Sequence, residues 1–247
     1  MTPIETLPLW FLLAAVATMP VFALVSRNRP RDPDVARRSA SAFLGFWVRD
    51  WLMWVIGPAE RMLVRTGVSP DVFNYLGAAF GAAAGVLFAE RALALAGWAI
   101  LLGGLADVFD GRIARARGLT SRYGAFMDST LDRFAEVFSF VGVTWYLSGT
   151  PWGAALSVTA ICGSLLVSYT RARGEAVGVT GIGGVMQRAE RLVLLALGAL
   201  ADRAVTSRWG WPDGSVLTAA VAIIAIGSMG TAIYRTASIA KALSKQP

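Results

Sequence analysis

The sequence predicts an all-α integral membrane protein. It has a six-helix transmembrane core, preceded by an interfacial amphipathic helix and one extra N-terminal transmembrane helix. Three observations predict this. The chain is 55% hydrophobic and only 16% charged, with a mean hydropathy of +0.56, far from the balance of a soluble domain. Its apolar residues form continuous runs of spanning length. A transmembrane β-barrel would alternate apolar and polar positions instead, so the runs select helices. Finally, four aspartates interrupt this apolar sequence at helical spacings.

The first run, 7–25, is of spanning length. No small-residue cleavage site follows it, so it reads as a retained anchor. The next stretch, RNRPRDPD, is an irregular linker because its prolines break helices. Phe43, Phe46, Trp47, Trp51, Trp54 and Val55 then recur at i, i+3, i+4 spacing. Arg37, Arg38, Ser41, Arg49 and Asp50 lie mostly on other faces. Such a helix suits the membrane interface, with its tryptophans at headgroup level. Six further runs centre on 70–89, 92–111, 124–147, 152–170, 190–201 and 215–234. The run at 190–201 is the shortest. The expected division is an anchor and linker over 1–34, then the interfacial helix and six-helix domain over 35–247.

Orientation follows from the short loops. Arg27, Arg29, Arg31, Arg37 and Arg38 follow the first span. Arg112, Arg115, Arg117 and Arg122 lie in the next basic loop, and Arg171, Arg173, Arg188 and Arg191 in the third. Arg235, Lys241 and Lys245 lie in the C-terminal tail. Alternating spans put all of these on one side, leaving Arg91, Arg203 and Arg208 on the other. The positive-inside rule places the basic side in the cytoplasm and the N-terminus outside, in a multi-pass inner-membrane protein.

Asp107 and Asp110 are i, i+3, and Asp128 and Asp132 are i, i+4, so each pair shares a helix face. A carboxylate at the bilayer centre costs roughly 2.5–3.5 kcal/mol on insertion scales, so four together mark function. Two such helices facing each other form an oxygen cradle for hard divalent cations. Gly103, Gly104, Gly111 and Ala114 run beside the first pair. Gly124, Ser121, Glu136 and Ser139 accompany the second. Small residues permit close helix approach, the expected role of Gly103 and Gly104. Gly111 and Gly124 abut the acids and are expected to admit a ligand. Glu136 could either ligate or pair with an arginine.

Several chemistries drop out. The chain has no histidine, which removes histidine bases, ligands and triads. The lone Cys162 has no partner for an intrachain disulfide and is expected to pack as a small apolar residue. The net charge of +7 follows mainly from positive-inside loops, with an anionic lipid or substrate as the sharper cause. The arginines flank spans rather than form a soluble basic face, so nucleic acid is not an expected partner.

The spacing D-x-x-D-G-x-x-A-R-x8-G-x3-D-x3-D is matched in full by Asp107, Asp110, Gly111, Ala114, Arg115, Gly124, Asp128 and Asp132. This resembles the signature of the CDP-alcohol phosphotransferases. The stretch GVSPDVFNYLG and the six later spans are similar to that family's six-helix core. The resemblance implies transfer of a phosphatidyl group from CDP-diacylglycerol to an alcohol, with release of CMP. It implies Mg²⁺ or Mn²⁺ on the aspartates, and two divalent ions would balance four carboxylates. It implies that Asp107, Asp110 and Asp128 are mainly metal ligands. Asp132 would be the general base and an additional ligand, while Gly111, Ala114, Arg115 and Gly124 would cradle the CDP moiety. Members are often homodimers, which becomes an expectation for this chain.

The segment SYTRARGEAVGVTGIGGVMQRAERLVLL is similar to the corresponding stretch of phosphatidylinositol-phosphate synthases. The resemblance implies inositol 1-phosphate as acceptor, its phosphate held by Arg171, Arg173, Arg188 and Arg191. Here Arg188-Ala189-Glu190-Arg191 lacks the proline often found in that family's R-P-E-R. A glycerol 3-phosphate acceptor would also need an arginine cluster. A divalent-cation channel is the alternative from another class. It would have no use for Gly111, Ala114 and Arg115 beside the acids, and no inverted repeat is evident.

Overall fold

The computed structural model describes residues 14–28, 32 and 45–245. Residues 7–13 of the expected N-terminal anchor, most of the expected linker, and Phe43, Arg37, Arg38 and Ser41 of the expected interfacial helix lie outside the described residues. The described chain is helical, and contains no strand. Its helices are α1 (Met19–Val25), α2 (Phe46–Thr66), α3 (Pro70–Ala89), α4 (Leu93–Ala116), α5 (Arg122–Tyr146), α6 (Pro151–Ala176), α7 (Arg188–Trp209) and α8 (Ser215–Leu243).

Local sequence explains where the helices begin and end. Ser69, Ser121 and Thr150 cap α3, α5 and α6, their hydroxyls accepting from the backbone N–H groups of Asp71, Gly124 and Gly153. Pro70 and Pro151 occupy the first helical turn, where a missing N–H costs nothing. Gly210 ends α7 in the left-handed region at φ 66°. The start of α8 is capped from a distance. Buried Asp202 on α7 accepts from the N–H groups of Gly214, Val216 and Leu217 at 2.7, 2.9 and 3.1 Å. A carboxylate there also meets the positive end of the helix dipole. Asp202→Ala should therefore lower stability by about 1.5–3 kcal/mol, read as a drop in melting temperature of the detergent-solubilised protein.

Four helices, α3, α4, α6 and α8, are long and apolar enough to cross a membrane. α5 and α7 have comparable lengths, 25 and 22 residues, but carry the charges of the acidic motif and the arginine segment. α7 continues well beyond the apolar run at 190–201 because its second half is amphipathic. Asp202 and Thr206 turn inward there, while Arg203 and Arg208 face out. A hydropathy window sees only the first half.

The six helices α3–α8 close into a ring. α3 packs on α4 and α5, α4 on α7, α7 on α8, α8 on α6, and α6 on α5. Phe88, Ile100, Phe140, Val143, Leu195, Val221 and Ile224 fill its core. The seam between α3 and α5 is built on glycine: a Cβ on Gly142 would collide with the backbone of Gly85, and one on Gly81 with Ala135. Such close approach maximises dispersion contacts where lipid offers no hydrophobic drive. Outward faces are apolar, including Val86, Ile226 and Ile233. Cys162 also faces outward on α6 instead of packing inside. Exposed Trp145, Trp152, Trp209 and Trp211 cluster at the turns after α5 and α7, as in an interfacial aromatic belt.

α2 packs on α4 through Ile56, Phe109 and Ile113. Its tryptophan face packs against α1. Phe22 lies 5.5 Å from Trp47 and 5.7 Å from Trp54, and buried Trp51 donates to the Thr18 hydroxyl at 2.9 Å. Sequence periodicity showed that the face was apolar, not which surface would cover it.

Candidate active site

The C-terminal half of α4 and the N-terminal half of α5 meet at the end of the ring opposite the tryptophan turns. The loop between them is short, so both acidic pairs arrive at one place. Carboxylate oxygens of Asp107, Asp110 and Asp128 all lie within 4.8 Å of one another. Asp110 Oδ2 and Asp128 Oδ1 are buried without a hydrogen-bond partner. Buried carboxylate oxygens left unpaired are costly, and a divalent cation is the partner such an all-oxygen set fits. The residues present therefore fit Mg²⁺ or Mn²⁺.

Asp132 stands outside that trio but is tied to it by Arg188, the first residue of α7. The Arg188 guanidinium contacts Asp107 Oδ2 at 2.9 Å and Asp132 Oδ1 at 2.6 Å. Arg133 lies 3.8 Å from the second oxygen of Asp132. The structure thus brings all four aspartates and Arg188 into one charged cluster.

Beside it, Arg115 lies over Gly111: a Cβ at Gly111 would come within 3.0 Å of the Arg115 guanidinium. Ala114 is half-buried on the same helix. Gly124 is close to the capping hydroxyl of Ser121, 3.2 Å from its ideal Cβ position. These small residues leave room for a flat or extended ligand against the helix backbone.

The four arginines of the third basic segment are not equivalent. Arg171 and Arg173 are exposed near the end of α6, with Arg171 paired to Glu175 at 2.9 Å. Arg188 sits among the acids. Arg191 is fully buried and forked onto Glu136, with Nε to Oε1 at 2.7 Å and Nη2 to Oε2 at 3.2 Å. It also donates to the carbonyl of Met186 at 3.2 Å. Glu136 therefore pairs with an arginine, one of the two outcomes its sequence position allowed. Buried Arg235 on α8 donates to the carbonyls of Gly183 and Val167 at 3.1 and 2.7 Å, pinning the loop before α7.

Sequence reasoning missed a second network next to the acids. Arg112 follows Gly111 in the motif and donates to Glu60 on α2 at 2.7 Å and to Asp32 at 3.0 Å. Arg49 on the same α2 reaches Glu190 on α7 at 3.3 Å. α2 is thereby fastened to both α4 and α7. The available signal was opposite charge on α2 and the motif loop, but nothing in the sequence paired them.

Comparison with known proteins agrees with this geometry. A phosphatidylinositol phosphate synthase of Streptomyces avermitilis is 36% identical over 222 residues, covering 87% of this chain and 88% of that protein. A crystal structure of Mycobacterium tuberculosis phosphatidylinositol phosphate synthase with CDP-DAG bound is 30% identical. It superposes with a TM-score of 0.63 over 74% of this chain and 92% of that one. A second structure of that enzyme, in complex with manganese and citrate, gives 0.64 at 30% identity, covering 74% of this chain and 87% of that one. The family profile described as CDP-alcohol phosphatidyltransferase matches residues 68–239, from the start of α3 into the end of α8. With most of the chain inside that match and the acidic motif at its centre, the protein belongs to the CDP-alcohol phosphatidyltransferase family.

Proposed function

We propose that this enzyme transfers the phosphatidyl group of CDP-diacylglycerol to inositol 1-phosphate, forming phosphatidylinositol phosphate and releasing CMP. The observation that carries the reading is the convergence of Asp107, Asp110 and Asp128 from two helices, with buried oxygens unpartnered, inside the family motif. The relatives' shared identity as phosphatidylinositol phosphate synthases supports the acceptor. Family membership displaces the cation-channel alternative.

Asp107, Asp110 and Asp128 hold divalent cations, with Asp132 able to contribute. When bound, such ions offset the charge of the pyrophosphate and of the leaving phosphate. Gly111, Ala114, Arg115 and Gly124 seat the CDP moiety. Asp132 takes the proton of the acceptor hydroxyl as its oxygen bonds to the phosphatidyl phosphorus and the bond to CMP breaks. Proton removal can come late, because phosphoryl-type transfer depends mostly on positioning and electrostatics.

Arg171 and Arg173, exposed at the end of α6, and Arg188, at the acids, meet the acceptor phosphate. A forked guanidinium suits a phosphate dianion. Arg191 completes this basic set from behind, through its pair with Glu136. Six helices, α3–α8, span the inner membrane with the acids at the cytoplasmic side and the N-terminus outside. Residues 1–34 form an anchor and linker, 35–247 form the catalytic domain, and the enzyme works as a homodimer.

The test is product formation from CDP-diacylglycerol with Mg²⁺ or Mn²⁺ and, separately, inositol 1-phosphate, inositol and glycerol 3-phosphate. Turnover confined to inositol 1-phosphate is expected, and preference for glycerol 3-phosphate overturns the acceptor assignment. In the same assay Asp132→Asn should lose turnover yet keep the Mn²⁺-dependent thermal shift given by a CDP ligand. A group used only in the transition state can be removed without weakening ground-state binding. Loss of that shift would make all four aspartates one metal-binding unit.

A further inference from the structure

Arg188 lies where a metal-site arginine is least expected, across two of the carboxylates that ions would need. Its two terminal nitrogens take Asp107 Oδ2 at 2.9 Å and Asp132 Oδ1 at 2.6 Å, one acid from each helix. Its Nε is buried and has no partner, so nothing anchors the guanidinium besides the acids themselves. The residue also stands at a helix start that no side chain caps, preceded by a glycine-rich loop. The guanidinium can therefore withdraw without unmaking a helical hydrogen bond. Arg191, one turn further on, is locked by Glu136 and stays in place.

We infer that Arg188 is an internal cation of the acid site, competing with divalent ions for Asp107 and Asp132, so that loading the ions and releasing Arg188 are one event. The inference rests on the reading of the aspartates as a metal site. An ion that takes Asp107 removes one of the two oxygens holding Arg188. It also adds positive charge within a few ångströms of the guanidinium, which is then repelled. The released fork lies beside the transfer site and is free to take an anionic oxygen of the acceptor. Linkage makes the effect reciprocal: ions strengthen acceptor-phosphate binding, and acceptor phosphate strengthens ion binding. The arginine thereby imposes an order, with ions before acceptor, and offsets part of the charge of Asp107 and Asp132 beforehand.

The competition has a sign that a supporting role does not share. Equilibrium Mn²⁺ binding to the purified full-length protein is measured from the electron paramagnetic resonance signal of free Mn²⁺, without substrates. Arg188→Gln, which keeps a polar side chain and removes the charge, should bind Mn²⁺ roughly ten- to a hundredfold tighter, the range a close contact between charged groups commands. Arg188→Lys keeps the charge but cannot fork across both acids, and should fall between wild type and Arg188→Gln. It serves if Arg188→Gln does not fold. Unchanged or weaker Mn²⁺ affinity in the folded variants, with Asp110→Asn still losing the ion, overturns the competition and leaves the metal site standing. Full Mn²⁺ binding by Asp110→Asn overturns the metal-site reading itself.

Discussion

Asp110→Asn should abolish phosphatidyl transfer while leaving a folded protein. Asp110 is the most deeply buried of the four aspartates and contributes one of the unpartnered oxygens. The amide keeps the shape and removes the charge that an ion needs. Loss of an outer-shell partner of a metal ligand already costs ten- to a hundredfold, so loss of a ligand should cost on the order of a thousandfold or more in kcat/KM. Thermal unfolding supplies the second readout. A ligand present at 100 times its Kd stabilises by about 2.7 kcal/mol, so Mn²⁺ should raise the melting temperature of wild type and not of Asp110→Asn. Full turnover in excess chelator would remove the metal from the account altogether.

Arg191→Ala should prevent stable folding. Both partners of the Arg191–Glu136 pair are 1% exposed, and the fork is complete. Removing Arg191 strips the buried Glu136 carboxylate of its forked partner and leaves it only the longer contact with Arg133 at 3.5 Å, a loss of up to about 3–5 kcal/mol. The double change Arg191→Met with Glu136→Gln removes both charges and should recover much of the stability. Thermal melts of the three purified variants decide it. If Arg191 instead touched the acceptor phosphate directly, Arg191→Ala would fold normally and raise only the acceptor KM.

The difference between these two residues also marks what the sequence could reveal. Asp107, Asp110, Asp128 and Asp132 are conspicuous because a carboxylate in an apolar run is costly, and helical spacing then fixes their common face. The spans at α3, α4, α6 and α8 stand out for the complementary reason, being continuously apolar. Arg191 is legible only as a basic loop residue, since its partner lies 55 positions earlier. Asp202 is likewise hidden, because nothing local to it signals the cap it provides to another helix. The tryptophans of α2 announced an apolar face but not its cover by α1. Composition and period report what a segment needs to bury; they do not report which partner meets that need.

α3 supplies no carboxylate to the acid cluster, yet the spacing of that cluster depends on its girth. α4 and α5 each lean on it, α4 where Gly103 meets Gly77 and α5 where Ala135 and Gly142 meet Gly81 and Gly85. It works as a shim, and its glycines set how far apart the two acid-bearing helices stand. Metal–ligand distances tolerate only about 0.2 Å. One methyl at Gly81 would thicken the shim by more than that and splay Asp128 from Asp107 and Asp110. Catalytic precision in this enzyme is therefore stored partly as a missing side chain, on a helix that no inspection of ligands would single out.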